Sequence, residues 1–184
     1  MDRKTLVMLL LREAKEQGKW IGRTFLQKTI FFINKKHNLG IDYKPHYFGP
    51  YSDQLASSVK SAVAIGLVSE KYEPLAILNE QPFEAIRYEY DLTAEGKKVL
   101  EDNLKNIEKE KLEDILKTVK KVLDSGADYQ SLSVAAKTYH ILEKKKIETA
   151  EQVKKEAKKL GWNLKPEAIQ KGANLLMDLI DNNQ

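Results

Sequence analysis

A mainly α-helical chain with one small antiparallel β-hairpin, a winged helix-turn-helix followed by a C-terminal helical extension, is what this sequence predicts. Three observations predict it. Three segments with apolar residues at three- and four-residue spacing precede Gly66. Two alternating runs of β-formers follow, Leu67 to Tyr72 and Ala85 to Leu92, parted by a loop containing Pro74, Asn79 and Pro82. Amphipathic segments then continue to the end of the sequence. A hairpin of this size does not stand alone in water, so it must close over the helices and share their core.

The first helix runs from about Asp2 to Gln17, with Leu6, Leu9, Leu10 and Ala14 on one face and Gly18 as its C-terminal stop. The second starts near Thr24, where Thr24 and Gln27 have the spacing of a capping box. Phe25, Leu26, Thr29, Ile30 and Ile33 form its buried stripe. A short extended piece, residues 44–48, is forced open by Pro45, and Gly49-Pro50 turns the chain. Ser52 caps the third helix, with Asp53 at its positive end and Leu55, Val59, Ala62 and Val63 facing inward. The long hairpin loop is expected to project as a wing, and Thr93 caps the next helix.

That helix is expected to extend to about Ser125, with a bend or break at residues 108–111, where its spacing slips. So long an apolar side needs a partner, either the C-terminal helices or a second copy of the chain in a homodimer through residues 94–124. Three shorter helices complete the sequence. Thr149 with Gln152 opens the second of them, and Pro166 sits in the first turn of the last. The domain reading is a winged-helix domain over 1–100 and a helical extension over 101–184.

Composition narrows the function classes. The 184 residues include no Cys, which excludes disulfides and thiolate metal sites. Charged residues make up 32%, and the Lys/Glu-rich balance resembles that of thermophile proteins. No apolar stretch reaches the length of a membrane span, and the Leu6–Leu11 run is followed at once by charges, so a cytoplasmic protein without a membrane partner is expected. The formal charge is +4, and residues 1–60 hold 11 Lys/Arg against 5 Asp/Glu. An acidic partner for that region is the expectation, double-stranded DNA first.

A winged helix places its third helix in the major groove. Ser52, Gln54, Ser57, Ser58, Lys60 and Ser61 are its candidate contacts here, with Arg23, Lys28, Lys35, Lys36, Lys44 and Tyr51 as the surrounding phosphate and backbone contacts. The helix has no Arg, the commonest base reader, and Lys60 is its one cation. The wing, with Glu73, Glu80 and Glu84 against Lys71, would repel DNA. A second helix-turn-helix-like stretch, Val153 to Leu176, carries Lys154, Lys155, Lys158, Lys159, Lys165 and Lys171, but its turn is longer than that motif uses. The competing expectation is a partner protein bound by the winged surface or the tail.

Catalysis is not expected. His37, His46 and His140 have no ligand spacing, and no Gly-rich phosphate loop occurs, so neither an active site nor a cofactor is anticipated.

Two local motifs look familiar. Phe25-Leu-Gln-Lys-Thr-Ile-Phe-Phe32, followed by His46-Tyr-Phe-Gly-Pro-Tyr-Ser52, resembles the uncharacterised YwgA-type winged-helix proteins of bacteria and archaea. It is more distantly similar to the Panacea domain of many antitoxins, which has a Leu-Gln-Lys helix and a downstream Gly-Pro. Tyr90-Asp-Leu-Thr-Ala-Glu-Gly96 looks like the strand-to-helix junction of many winged-helix regulators. The resemblance covers roughly residues 1–100. It implies a winged-helix fold and a DNA-binding or adaptor role, with a toxin as partner on the Panacea side. The residues themselves read as architecture: Leu26, Ile30 and Ile33 in the core, Tyr47 and Phe48 anchoring the extended piece, and Gly49-Pro50 setting the turn. Lys28 and Tyr51 are the two expected to escape burial.

Overall fold

A computed structural model describes residues 1–74, 86–144, 147 and 149–180. Among them the chain is mainly helical, with one two-stranded antiparallel sheet. The elements are α1 (Arg3–Glu16), α2 (Arg23–His37), α3 (Asp53–Ala64), β1 (Val68–Pro74), β2 (Ile86–Leu92), α4 (Ala94–Leu104), α5 (Lys109–Asp124), α6 (Tyr129–Lys144), α7 (Ala150–Lys159) and α8 (Pro166–Ile180). The order through β2 is that of a winged helix. Most of the wing loop, including Glu80 and Glu84, lies outside the described residues. No described helix is long and apolar enough to cross a membrane.

The hairpin runs in register from Val68↔Leu92 to Pro74↔Ile86, pairing Tyr72 with Tyr88. On the far edge of β2, Tyr90 N–H donates to the Ile21 carbonyl at 3.0 Å, tying the α1–α2 connection to the sheet. Leu55, Val59 and Ala62 of α3 are buried against α1 and β1, and Val63 is half-buried. Asp2 caps α1 by accepting from Lys4 and Thr5 N–H at 3.0 and 3.2 Å. Ser52 caps α3 by accepting from Leu55 N–H at 3.2 Å. The Thr93 hydroxyl caps α4 at Gly96 N–H, 2.9 Å away. A Cβ on Gly96 would run into the Leu67 carbonyl oxygen, so the glycine of that junction permits helix and strand end to touch.

Three expectations are corrected. First, Thr24 and Gln27 do not form a capping box. Helix α2 begins at Arg23 behind Gly22, and Gln27 is buried in a tertiary contact described below. Second, the extended piece over residues 44–48 gives way to a turn at Tyr47 and Phe48, and a single bridge joins Lys44 to Tyr51. Third, the bend or break expected at residues 108–111 of the helix from Thr93 falls at residues 105–108, where the chain divides into two helices. Tight bonds close the turn there, Asn106 N–H to Asn103 carbonyl at 3.2 Å and Ile107 N–H to Leu104 carbonyl at 3.1 Å. The apolar side of α5 finds its cover within the chain, where Ile115, Val119 and Leu123 join the core of α1 and α2.

Helix α2 is the centre of the molecule. Every residue from Leu26 to Asn34 is buried. One face, Leu26, Ile30 and Ile33, joins the winged-helix core. The other, Phe31 and Phe32, packs with Val122 of α5, Leu132, Ala135 and Ala136 of α6, and Leu176 and Leu179 of α8. Phe31 meets Phe32, Tyr43 and Tyr139 edge to face, with centroids 5.4, 5.0 and 5.7 Å apart. A single buried stripe describes a surface helix, and one apolar on all sides needs cover on all sides. The C-terminal helices supply it. A third cluster, Ile141, Val153, Ala157, Trp162, Leu164 and Ile169, binds α6, α7 and α8 together.

Candidate functional site

Two features stand out on this frame: a clamped loop and an open aromatic cleft. The loop is residues 46–52. Gln27 on α2 holds its end from both sides, its amide donating to the Ser52 carbonyl and its Oε1 accepting from Ser52 N–H, each at 3.0 Å. The next residue along the helix, Lys28, donates from Nζ to the Pro50 carbonyl at 2.6 Å. From the other side Ser133 donates to the Phe48 carbonyl at 2.6 Å and the Trp162 indole donates to the His46 carbonyl at 2.7 Å. The two motifs that resemble YwgA-type proteins are therefore one physical unit. The helix carries polar side chains whose partners are the backbone groups of the loop. Gly49 sits at φ 95°, and a Cβ there would lie 3.0 Å from Lys137 Cγ and 3.3 Å from the Ser133 carbonyl oxygen.

Lys28 is the correction that matters most among the predicted site residues. It is 1% exposed, so it cannot reach a phosphate on the surface. Burial, helped by the nearby Lys137 charge, pulls its amine down to about 7. Burial also lowers Lys137, whose ammonium lies 5.6 Å from the centre of the Trp162 ring. Ser52 is likewise buried, its hydroxyl engaged as the α3 cap. Tyr51 is half-buried with its ring against His46, centroids 5.0 Å apart.

The remaining predicted cations do not form a free basic face around α3. Lys35 pairs with Glu143 at 2.7 Å. Lys44 pairs with Asp53. Lys36 lies in the last turn of α2, where burial and then the Lys121 charge lower its pKa. Arg12 bonds Glu13 at 2.8 Å, Lys15 bonds Asp91 at 2.7 Å, and Lys19 donates to the Leu123 carbonyl. Along α3 the structure does gather Gln54, Ser57, Ser58, Lys60 and Ser61 toward one outer side. Two of these are partly engaged: Gln54 donates to Asp42 at 3.3 Å, and Ser58 accepts from Arg3 at 3.3 Å.

The cleft is a feature the sequence reading missed. It has a volume of 910 Å³ and lies between the start of α2, the β2 strand and the turn joining α5 to α6. Its walls are Gly22, Arg23, Thr24 and Phe25, then Ile86 to Glu89, then residues 126–129, with Phe48 of the clamped loop at its side. The Arg23 guanidinium lies 3.6 Å above the centre of the Tyr88 ring. Burial pushes Tyr90 up to about 12. At the mouth stand Trp20, 68% exposed, and Tyr129, 49% exposed. Of the residues predicted for nucleic acid, Arg23 alone belongs to this cleft. The available signal was Trp20 itself, a large apolar residue between Gly18 and Gly22 in a connection rather than on a helical stripe.

Together these describe a mainly helical chain whose two-stranded wing and α2 frame an open aromatic cleft. It is similar to the "Uncharacterized protein YwgA" of Bacillus subtilis (strain 168), at 28% identity over 93 residues, covering 50% of this chain and 52% of that protein. The chain thus matches about half the length of this relative. No family model matches the sequence.

Proposed function

We propose that this chain is a cytosolic binding module that takes a partner protein in the aromatic cleft. One observation carries the reading: Trp20 and Tyr129 stand exposed at the mouth of an apolar cleft of 910 Å³. Aromatic side chains left in water beside a concave apolar surface are the usual anchors of interfaces. The winged-helix framework and the likeness to YwgA-type and Panacea proteins fit such an adaptor or antitoxin role.

Double-stranded DNA on α3 is the second reading, favoured by the exposed Ser57, Lys60 and Ser61 on an accessible helix. It is weakened by the ion pairs that occupy Lys15, Lys35 and Lys44. Few free cations mean little counterion release and weak affinity.

One experiment separates the two. Affinity-tagged protein is recovered from its native host as wild type, Trp20→Ala/Tyr129→Ala and Lys60→Ala, and each form is titrated against duplex DNA at low salt. The expected outcome is one recurrent protein partner, kept by Lys60→Ala and lost by the double variant. Because Trp20 and Tyr129 are exposed, the double variant keeps its stability to within about 1 kcal/mol. A partner that survives the double substitution, or tight duplex binding abolished by Lys60→Ala, would refute the cleft reading.

A further inference from the structure

The loop that supplies Phe48 to the cleft wall is held by an amine that meets no carboxylate among the described residues. The buried Nζ of Lys28 donates to the Pro50 carbonyl. Lys137 from α6 meets Lys28 over Gly49, and His46 and Tyr51 are the titratable residues of the loop itself. His140 stands one layer further out against Trp162, ring centroids 5.9 Å apart. Among the described residues Lys137 is the charge that bears on Lys28, and it repels the protonated form. A carbonyl is a sufficient partner for a neutral amine. It is a poor one for a buried ammonium, which loses its water and gains a like charge instead of a carboxylate.

We propose that Lys28 makes the seating of the 46–52 loop proton-dependent: the loop is closed over a neutral amine, and uptake of one proton drives Lys28 toward water and loosens Phe48 at the cleft wall. The step is a protonation only, amine plus proton giving ammonium, and needs no other reactant. It rests on the cleft reading for its consequence to a partner, but the device itself is a property of the chain alone. The backbone bonds that would open with it are those into the loop: Lys28 to Pro50, Ser133 to Phe48 and Trp162 to His46.

The test is an NMR titration of the full chain carrying 13C-labelled lysine and 15N amides, without any partner. One lysine Cε is expected to titrate with a midpoint near 7 instead of the ordinary 10.5. The amides of Phe48 and Gly49 should move with the same midpoint. In Lys28→Met both the lysine signal and the amide movement vanish, although His46 and His140 are still present. Lys137→Met, which keeps the packing of that side chain on Gly49, should shift the Lys28 midpoint upward. If every lysine titrates near its ordinary value, or if the Phe48 and Gly49 amides keep their pH dependence in Lys28→Met, the proposal is wrong. Should Lys28→Met fail to fold, the wild-type lysine midpoint and its displacement in Lys137→Met still decide the matter. Loss of the cleft partner would not alter any of these readouts, so the two proposals fail separately.

Discussion

The clamped loop and the outer side of α3 are neighbours in sequence and opposites in construction. Between His46 and Ser52, four side chains from α2, α6 and the α7–α8 turn reach the backbone. Along α3, Ser57, Lys60 and Ser61 point to solvent. Gln27 and Lys28 are structural because each satisfies buried backbone groups of the loop. Ser57, Lys60 and Ser61 are free to serve a partner because nothing in the fold requires them. A polar residue inside a motif is therefore not by itself a contact residue: Gln27 and Lys28 look like surface groups in sequence and are the joint between α2 and the 46–52 loop.

The comparison can be broken most directly at Phe31, which joins α2 to the C-terminal helices. Phe31→Ala is expected to cost about 3–5 kcal/mol, seen as a lower urea midpoint. A loss of less than about 1 kcal/mol would show that α6 and α8 hardly support α2. Next comes Gln27→Ala, which strips Ser52 N–H of its partner and leaves the Ser52 carbonyl to Ala56 N–H. Leaving one buried donor unsatisfied should cost about 1–3 kcal/mol, whereas Ser57→Ala on α3 should change stability by less than about 0.5 kcal/mol.

Lys28 sharpens the contrast through pH. Its folded-state pKa of about 7 lies below the ordinary 10.5, so between those values the unfolded chain holds a proton that the native chain lacks. Stability from this group therefore rises with pH across that window, by up to ~1.4 kcal/mol per unit, and is flat below it. Lys28→Met should remove that slope in urea titrations run from pH 6 to about 9.5. The smallest effect belongs to Lys35 and Glu143, a part-exposed pair linking α2 to α6. Glu143→Gln should cost no more than about 1 kcal/mol and less in high salt.

Much of this architecture was readable in the residues. The three N-terminal helices follow from their apolar spacing, the hairpin from alternation in Tyr88, Tyr90 and Leu92, and the caps at Ser52, Thr93 and Thr149 from short polar side chains ahead of apolar runs. These are local signals, set by the helical and strand periods and by the few orphan N–H groups at a helix start. The candidate site was less legible. Arg23 was named, but Trp20 and Phe48, in two separate connections, and Tyr129, at the start of α6, come together at one cleft with no shared periodicity.

What the sequence determined alone is the kind of elements and their order, because a few neighbouring residues suffice to favour a turn of helix or an alternating strand. Tertiary structure alone decided that α2 would be buried on every side, that Gln27 would hold a loop instead of capping its own helix, and that Lys15, Lys35 and Lys44 would each meet a carboxylate. Each of those outcomes depends on a group supplied from far along the chain: Ser52 for Gln27, Glu143 for Lys35, and α6 and α8 for Phe31 and Phe32. Burial and pairing are properties of two surfaces meeting, and a local pattern describes only one of them.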